Sequence, residues 1–474
     1  MTIFIVSMEG TIVSTAMPKI VSDLGSLEMM SWVFSIYLLA TVVSTPVFGK
    51  LIDLYGRKRI FVIGLVLFVA ASAASGAAQS MLQLILFRAF QGFGAGALFP
   101  AAMTIVGAVF QEQERAKLQA GFSAVGAIAG LTAPFLGGVI VDYFTWQWIF
   151  LVNVPIGFLC YVLLQTSYNE KVKRSAVSID IAGGVLFIIA SGSLLLSLSL
   201  KSFPLLCASI AAFGAFIWVE RRSKDALVPP SLFTSRVMSF CYTAAFLLST
   251  LYIGLNVYVP FWMQGVVGTN ATMAGLALAP MSVMWTAGSY WCSVLLAKKG
   301  RKMVMLLGMV FITAAVSVLA GYGDTITHWG MLLVAAAVGL GMGLTATTFI
   351  VTIQSEANPA QLGAATSALT FLNYLAQSIG ISLFGLIFNH HAVQGMSSLR
   401  EQGIDVTDVN ELLQVLEAKD VSASVLAATQ HVMSSSISPI FLYILGFVIA
   451  AGVLLLAFPS GGRISAKEQG GGAE

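Results

Sequence analysis

RAFQGFGAG, residues 88–96, returns 247 residues later as AAAVGLGMG at 335–343, with all three glycines in register. A second pair keeps nearly the same step: Gly56-Arg57-Lys58 against Gly300-Arg301-Lys302, 244 residues apart. Two unrelated features repeating at nearly one offset mark a duplicated unit. Both glycine runs sit inside long apolar stretches, where glycine lets helix backbones approach closely. The chain therefore reads as two related sets of helices, and the next question is what surrounds them.

Composition answers that it is lipid. Of the 474 residues 58% are hydrophobic and 9% charged, against about 25% charged in soluble domains. Apolar runs long enough to cross a bilayer recur near 1–20, 32–54, 60–79, 82–110, 117–142, 148–167, 179–200, 203–219, 237–266, 272–297, 303–321, 329–355, 362–389 and 433–458. The expected fold is an all-α polytopic membrane protein with fourteen spans. Residues 1–167 form one six-helix bundle, 168–236 hold two extra helices and their flanking loops, and 237–458 form the second bundle. An inserted pair preserves orientation, so the halves are parallel repeats. Such halves face each other across a site near the bilayer midplane. A long acidic external loop is expected at 391–432, with a short surface helix over 409–418, and a Gly-rich disordered tail at 459–474.

Charge tests the count. With the N-terminus placed in the cytoplasm, nineteen of the 24 Lys and Arg fall inside, four fall outside (Lys19, Lys201, Arg400, Lys419), and Arg88 lies within a span. One miscounted helix would scramble that asymmetry, so both termini are expected in the cytoplasm. The first apolar run lacks a basic leader and a small-residue cleavage site, and reads as a retained helix.

That run, MTIFIVSMEGTIVSTAMPKI, carries one acid, Glu9. A carboxylate at this depth costs roughly 2.5–3.5 kcal/mol, so it faces a protein interior or a wet cavity. At 100° per residue Ser7, Thr11, Ser14 and Thr15 share one face, suited to helix packing, and Glu9 points away from it. Glu9 is expected to titrate beside a substrate path; the competing reading is a neutral, hydrogen-bonded carboxyl inside a bundle. Arg88 is the only base buried in a span, with Gln91, Gly92, Ala95 and Phe99 on its helical face. Helix rise places Arg88 and Glu9 within about 10 Å in depth, close enough to couple without touching.

Several chemistries are missing from the sequence. It has no phosphate-binding loop, no metalloprotease or hydrolase signature, and no Cys/His set with metal spacing. The four cysteines lie in apolar runs as small core residues. Neither an enzyme, a cofactor, a metal site nor a nucleic-acid partner is expected.

Six stretches together resemble one family. GKLIDLYGRK at 49–58 is similar to the loop signature between the second and third helices of the major facilitator superfamily. RAFQGFGAG is similar to its fourth-helix motif, and GAIAGLTAPFLGG at 126–138 to the fifth-helix motif associated with antiporters. EGTIVSTAMP at 9–18, WQWIFLVNVPIG at 146–157 and YVPFWMQGVVG with AGLALAP at 258–280 resemble the fourteen-helix drug:proton antiporters within it. The resemblance implies a cytoplasmic gate at Gly49, Asp53, Gly56, Arg57 and Lys58. It implies an antiporter motif at Gly126, Gly130, Pro134, Gly137 and Gly138, and a part for Arg88 in proton handling alongside Glu9. By its residue type alone, Arg88 could equally hold backbone carbonyls. Asp53 can cap a neighbouring helix or pair with Arg57 or Arg59, and Ala297 replaces it in the second-half copy. Three positions depart from the family pattern: Glu9 for an aspartate, Ala133 for a glycine, and Gln147 for an arginine.

Polar residues in spans supply the substrate-binding candidates Gln91, Phe99, Asn256, Trp262, Gln264 and Asn373, although such groups often only bond helix to helix. The resemblance implies a proton-coupled antiporter exporting cationic or neutral lipophilic molecules by alternating access. It would act as a monomer in the cell membrane, its partners being amphiphilic small molecules, protons and lipids. Export of an endogenous lipid or metabolite, or inward symport on the same fold, stays open.

Overall fold

The structure is a computed structural model. It describes residues 1–109, 112–168, 170, 181–200, 202–223, 233, 235–322, 326–357, 362–401 and 422–459. Among them the chain is helical, with no strand. Among the described residues fourteen helices cross the molecule in alternating directions, joined mostly by short connections. They are α1 (Thr2–Leu24), α2 (Met30–Tyr55), α3 (Arg57–Gly76), α4 (Met81–Val109), α5 (Glu112–Tyr143), α6 (Asn153–Ser167), α7 (Ile181–Leu200), α8 (Phe203–Glu220), α9 (Arg236–Gly265), α10 (Ala271–Lys299), α11 (Arg301–Tyr322), α12 (His328–Glu356), α13 (Leu362–Glu401) and α14 (Ala423–Leu456). A single helical turn, Trp148–Leu151, leads into α6. The face where α1 begins and α14 ends is called the terminal face below, and the opposite one the far face.

The outside of the barrel is apolar: Val66, Phe158, Ile210 and Leu333 are among many large side chains left exposed on helices long enough to span a bilayer. Lipid is as apolar as leucine, so burying such side chains gains little, and the helices must cohere by close packing. Glycine supplies it, and does so twice. A Cβ on Gly92 would strike the carbonyl of Tyr37 on α2, and one on Gly339 would strike that of Met281 on α10. Gly94 abuts Phe68 on α3, as Gly341 abuts Ile312 on α11; Gly96 abuts Thr41 and Ser44, as Gly343 abuts Trp285 and Gly288. The partners Tyr37 and Met281, Phe68 and Ile312, Thr41 and Trp285, and Ser44 and Gly288 are all 244 residues apart, the step that separates the two Gly-Arg-Lys turns. The repeat read from sequence is thus a repeat of contacts, with α1–α6 corresponding to α9–α14.

The Gly-Arg-Lys turns are also alike. Gly56 (φ 93°) and Gly300 (φ 79°) adopt a backbone conformation that a Cβ would strain. The lysine that follows each caps the end of the last helix in its own half. Lys58 Nζ donates to the Tyr168 carbonyl at 2.6 Å, and Lys302 Nζ to those of Leu456 and Phe458 at 2.7 and 3.0 Å. Cations suit carbonyls left open at helix C-termini. The start of α3 is capped by Glu170, whose carboxylate accepts from the amides of Arg57 and Lys58, each at 2.8 Å. Replacing Glu170 with Gln should lower the melting temperature of the purified protein, by the equivalent of about 1 kcal/mol. The side chain of Asp53 lies outside the described residues, and Gly49 meets nothing within 4 Å of a built Cβ.

The extra helices pack on each other, the Ser209 hydroxyl donating to the Ala190 carbonyl at 2.8 Å. Phe187 of α7 wedges against Leu39, Val42 and Val43 of α2 and meets the tilted ring of Phe371 of α13, ring centroids 4.6 Å apart. The α7–α8 pair therefore lies along the seam where the two halves meet at α2 and α13.

The expected loop over 391–432 is shorter than its composition suggests. α13 runs on to Glu401, and α14 begins at Ala423. The reason is a buried stripe, Phe388, Ala392, Met396 and Leu399, that continues the helical spacing and meets Val432 of α14 at Gly395. The surface helix expected over 409–418 and the tail from residue 460 lie outside the described residues.

Candidate functional site

Glu9 sits two turns into α1 and is fully buried. It faces the interior of the first six-helix bundle. Its Oε1 accepts from Arg88 Nη1 at 2.5 Å, and its Oε2 accepts from Asn153 Nδ2 at 2.8 Å. The same arginine nitrogen donates to Gln91 Oε1 at 2.9 Å, and Arg88 Nε donates to the Val33 carbonyl at 3.3 Å. Ser72 Oγ closes the network, accepting from Asn153 Nδ2 at 2.9 Å and from Gln91 Nε2 at 3.1 Å. The Arg88 guanidinium lies 4.1 Å from the centre of the Tyr37 ring. Five helices thus feed one polar knot: α1, α2, α3, α4 and α6.

This corrects two expectations. Glu9 and Arg88 touch, where depth alone suggested only long-range coupling. The knot also reverses the reading of α1. Its small hydroxyl residues Ser7 and Thr11 face the space between the halves, while Glu9 turns inward to the bundle. The physical reason is pairing: breaking a buried ion pair by losing one partner costs about 3–5 kcal/mol, so the rotation of α1 is set by Arg88 and not by its own small residues. Lower on the same hydroxyl face the packing role holds, since Thr15 and Ile12 meet Gly137 of α5.

Between the halves lies a cavity of about 440 Å³. α1, α2, α4 and α5 wall it on one side and α9, α10, α12 and α13 on the other, with Arg88, Gly126 and Gly130 in the wall. It reaches toward the terminal face at Val6, Phe349, Ile350 and Thr370. Described hydrogen bonds between the halves lie beyond it, toward the far face. Gln264 Nε2 on α9 donates to the Thr15 carbonyl on α1 at 3.1 Å. The hydroxyls of Ser35 on α2 and Ser382 on α13 bond at 2.9 Å. Asp142, ending α5, accepts from the amides of Ala271 and Thr272 at 3.1 and 2.9 Å and from the Thr272 hydroxyl, capping α10. Backbone contact seals the same seam: a Cβ on Gly275 would lie 2.0 Å from the Pro134 carbonyl, and one on Gly138 2.4 Å from that of Ala271.

Of the six substrate-binding candidates only Asn373 lines the cavity. Gln91 belongs to the Arg88 knot. Phe99 is 47% exposed on the outside of the bundle, which hydrocarbon tolerates as well as a core does. Asn256 returns its amide to the Tyr252 carbonyl at 2.8 Å, Trp262 is core against Phe441, and Gln264 bridges the halves on the far-face side. Single-helix phase cannot say which neighbour a face meets. The wall residues the sequence reading missed include Tyr37, Ser249, Tyr252, Trp285 and Thr345. Asn153 was missed as well, although an asparagine inside WIFLVNVPIG is an expensive residue in an apolar span and was a usable signal. Gln147 keeps a buried Oε1 without a hydrogen-bond partner, while neighbouring Trp146 donates to Asp23 at 3.0 Å.

Residues 1–381 match the family model described as Major Facilitator Superfamily. The chain belongs to the major facilitator superfamily. This transporter is 34% identical over 396 residues to Multidrug transporter protein MdtP of Bacillus subtilis, covering 81% of this chain and 73% of that one. It is 31% identical over 470 residues to Multidrug resistance protein 3 of the same organism, covering 95% and 92%. It is 26% identical over 394 residues to Multidrug efflux pump SdrM of Staphylococcus aureus, covering 81% and 87%. Among solved structures, a bacterial homologue of the human lysosomal transporter Spinster, in an inward-facing and unoccupied conformation, superposes with a TM-score of 0.67 at 14% identity, covering 97% of this chain and 96% of that one. The transporter is a multi-pass membrane protein with the superfamily's two six-helix halves and an extra central pair.

Proposed function

We propose that this transporter is a multidrug exporter that exchanges amphiphilic small molecules for protons by alternating access. The observation that carries the reading is the buried Glu9–Arg88 pair, Arg88 in the wall of a cavity enclosed by both halves and Glu9 directly behind it. The printed names of the relatives, multidrug transporters and an efflux pump, support the substrate breadth. Among the described residues the Lys and Arg at helix ends lie mainly on the terminal side, so that face is assigned to the cytoplasm and the protein to the cell membrane, with both termini inside. It works as a monomer with no cofactor, driven by the proton gradient.

In the conformation seen here the cavity faces the cytoplasm and takes up substrate from there or from the inner leaflet. Rocking of the halves parts the seals at Asp142, Gly138 and Gly275 and closes the terminal side. Open to the outside, Glu9 loses its bond to Arg88 by taking a proton, and substrate departs. Returned to the cytoplasm, Glu9 gives the proton up and re-forms the pair. Only groups of this chain handle the proton.

Proteoliposomes with an imposed pH gradient test this. Purified transporter should move N-phenyl-1-naphthylamine against the direction of proton flow, with proton movement that depends on the substrate. Substrate and protons moving in the same direction would show symport instead. Movement of lipids with no dye flux would show a lipid exporter.

A further inference from the structure

The cavity wall has a particular charge pattern. Among the described lining residues none is Asp or Glu, and Arg88 is the one that carries charge. Glu9 does not line the cavity: both its oxygens are turned into the bundle, onto Arg88 and Asn153. The ion pair is neutral overall but asymmetrically placed, with Arg88 a residue of the cavity wall and Glu9 behind it. The remaining polar lining consists of uncharged hydroxyls and amides, among them Ser249, Tyr252, Thr345, Asn373 and Gln377, beside the indole of Trp285.

We infer that the substrates of this cavity are uncharged aromatic amphiphiles able to hydrogen-bond, and that permanent cations are discriminated against. The inference rests on the exporter reading above and narrows its substrate class. A cation entering an apolar cavity loses its hydration and needs an anion to replace it. Here it would meet the positive end of the Arg88–Glu9 dipole first, with the compensating carboxylate farther away. A neutral molecule bears neither cost. Its rings pack against Trp285 and Tyr252, which already meet edge to face with centroids 5.6 Å apart, and its polar groups exchange water for the wall hydroxyls and amides. The volume suits a molecule of drug size.

Binding titrations in lipid nanodiscs test this, read by quenching of tryptophan fluorescence, since Trp285 lies in the wall. N-phenyl-1-naphthylamine serves as the neutral aromatic N–H donor and ethidium as the permanent cation with amine donors, so that charge is what mainly separates them. The wild-type protein should bind the neutral probe at least about tenfold more tightly than ethidium. Placing an acid on the wall should erode the preference. Thr370→Glu, at an exposed position in the cavity wall, should strengthen ethidium binding about tenfold, so that the ratio of the two affinities moves toward the cation. Asn373→Asp, a replacement of nearly equal shape, should act in the same direction. Equal or tighter ethidium binding by the wild-type protein would overturn the inference while leaving the exporter reading intact. So would tighter binding of an anionic probe such as 8-anilinonaphthalene-1-sulfonate, or an unchanged ratio in both acid variants. Failure of the wild-type protein to bind any of the three would strike down the exporter reading itself.

Discussion

Glu9→Gln should abolish proton-coupled flux, to at least about a hundredfold below wild type, while substrate binding in the far-face-closed state survives within a few-fold. A step that needs a titrating carboxyl cannot proceed through an amide, so only uncoupled leak remains. Glutamine preserves the shape of the site and keeps an oxygen to accept from Arg88 or Asn153, the two donors that now share the carboxylate. It removes the negative charge that compensates a guanidinium buried to 99%. Breaking a buried pair outright costs about 3–5 kcal/mol, and the retained hydrogen bond should keep Glu9→Gln below that, so the variant is expected to fold at a lowered melting temperature. Glu9→Asp, the acid usual in the family resembled, should restore coupling in part, because it keeps the charge one methylene short of its partners. The measurement is dye flux in proteoliposomes at a series of internal and external pH values. Flux in Glu9→Gln that still follows the pH gradient would assign proton coupling to another group.

Gly275→Val acts on the other half of the cycle. In the present conformation a Cβ at position 275 would sit 2.0 Å from the Pro134 carbonyl oxygen and 2.6 Å from its carbon. Backbone cannot swing aside as a side chain can, so α5 and α10 must part. Overpacking costs about 1–3 kcal/mol where neighbours yield, which shifts a two-state equilibrium by about 5- to 150-fold, and a backbone clash lies at or above that range. The transporter should therefore leave the far-face-closed arrangement, losing the Asp142 cap on α10 as the seam opens. Spin labels at Tyr143 and Met273, both exposed near this seam, should report a longer distance in Gly275→Val than in wild type, and export should fall at least about tenfold. An unchanged label distance with full transport would show that the seam has more slack than its backbone contacts indicate. Gly446→Val is a matched control, since that glycine lies on an exposed face of α14 away from the cavity and a Cβ there meets nothing within 4 Å.

These two positions divide what sequence and tertiary structure each contributed. Gly275 was legible as part of a family stretch, AGLALAP, but nothing in its spacing named Pro134 as the backbone it touches. Glu9 was legible as an acid too costly to leave in lipid, and its partner was wrongly kept at a distance. The error has a simple origin. Helical phase fixes which residues of one helix share a face, but rotation of that helix is decided by its neighbours. Here Arg88 and Asn153, 79 and 144 residues away, outweigh the small hydroxyls on α1. Phe99 and Trp262 failed as cavity candidates for a related reason: aromatic side chains are equally content in lipid, in core or beside a ligand, so their type carries no address.

The sequence by itself determined the membrane setting, the fourteen spans, their alternation and the duplication. Each rests on properties that add along the chain: apolar length against bilayer thickness, charge asymmetry between loops, and a fixed offset between repeated turns. Only the tertiary structure decided that Glu9 lies behind the cavity wall, locked onto Arg88 within it, that the wall carries no acid among its described residues, and that the far face is the sealed one. Those facts depend on contacts between helices far apart in the chain, where packing and ion pairing fix each helix's rotation, and no periodicity within a single helix encodes them.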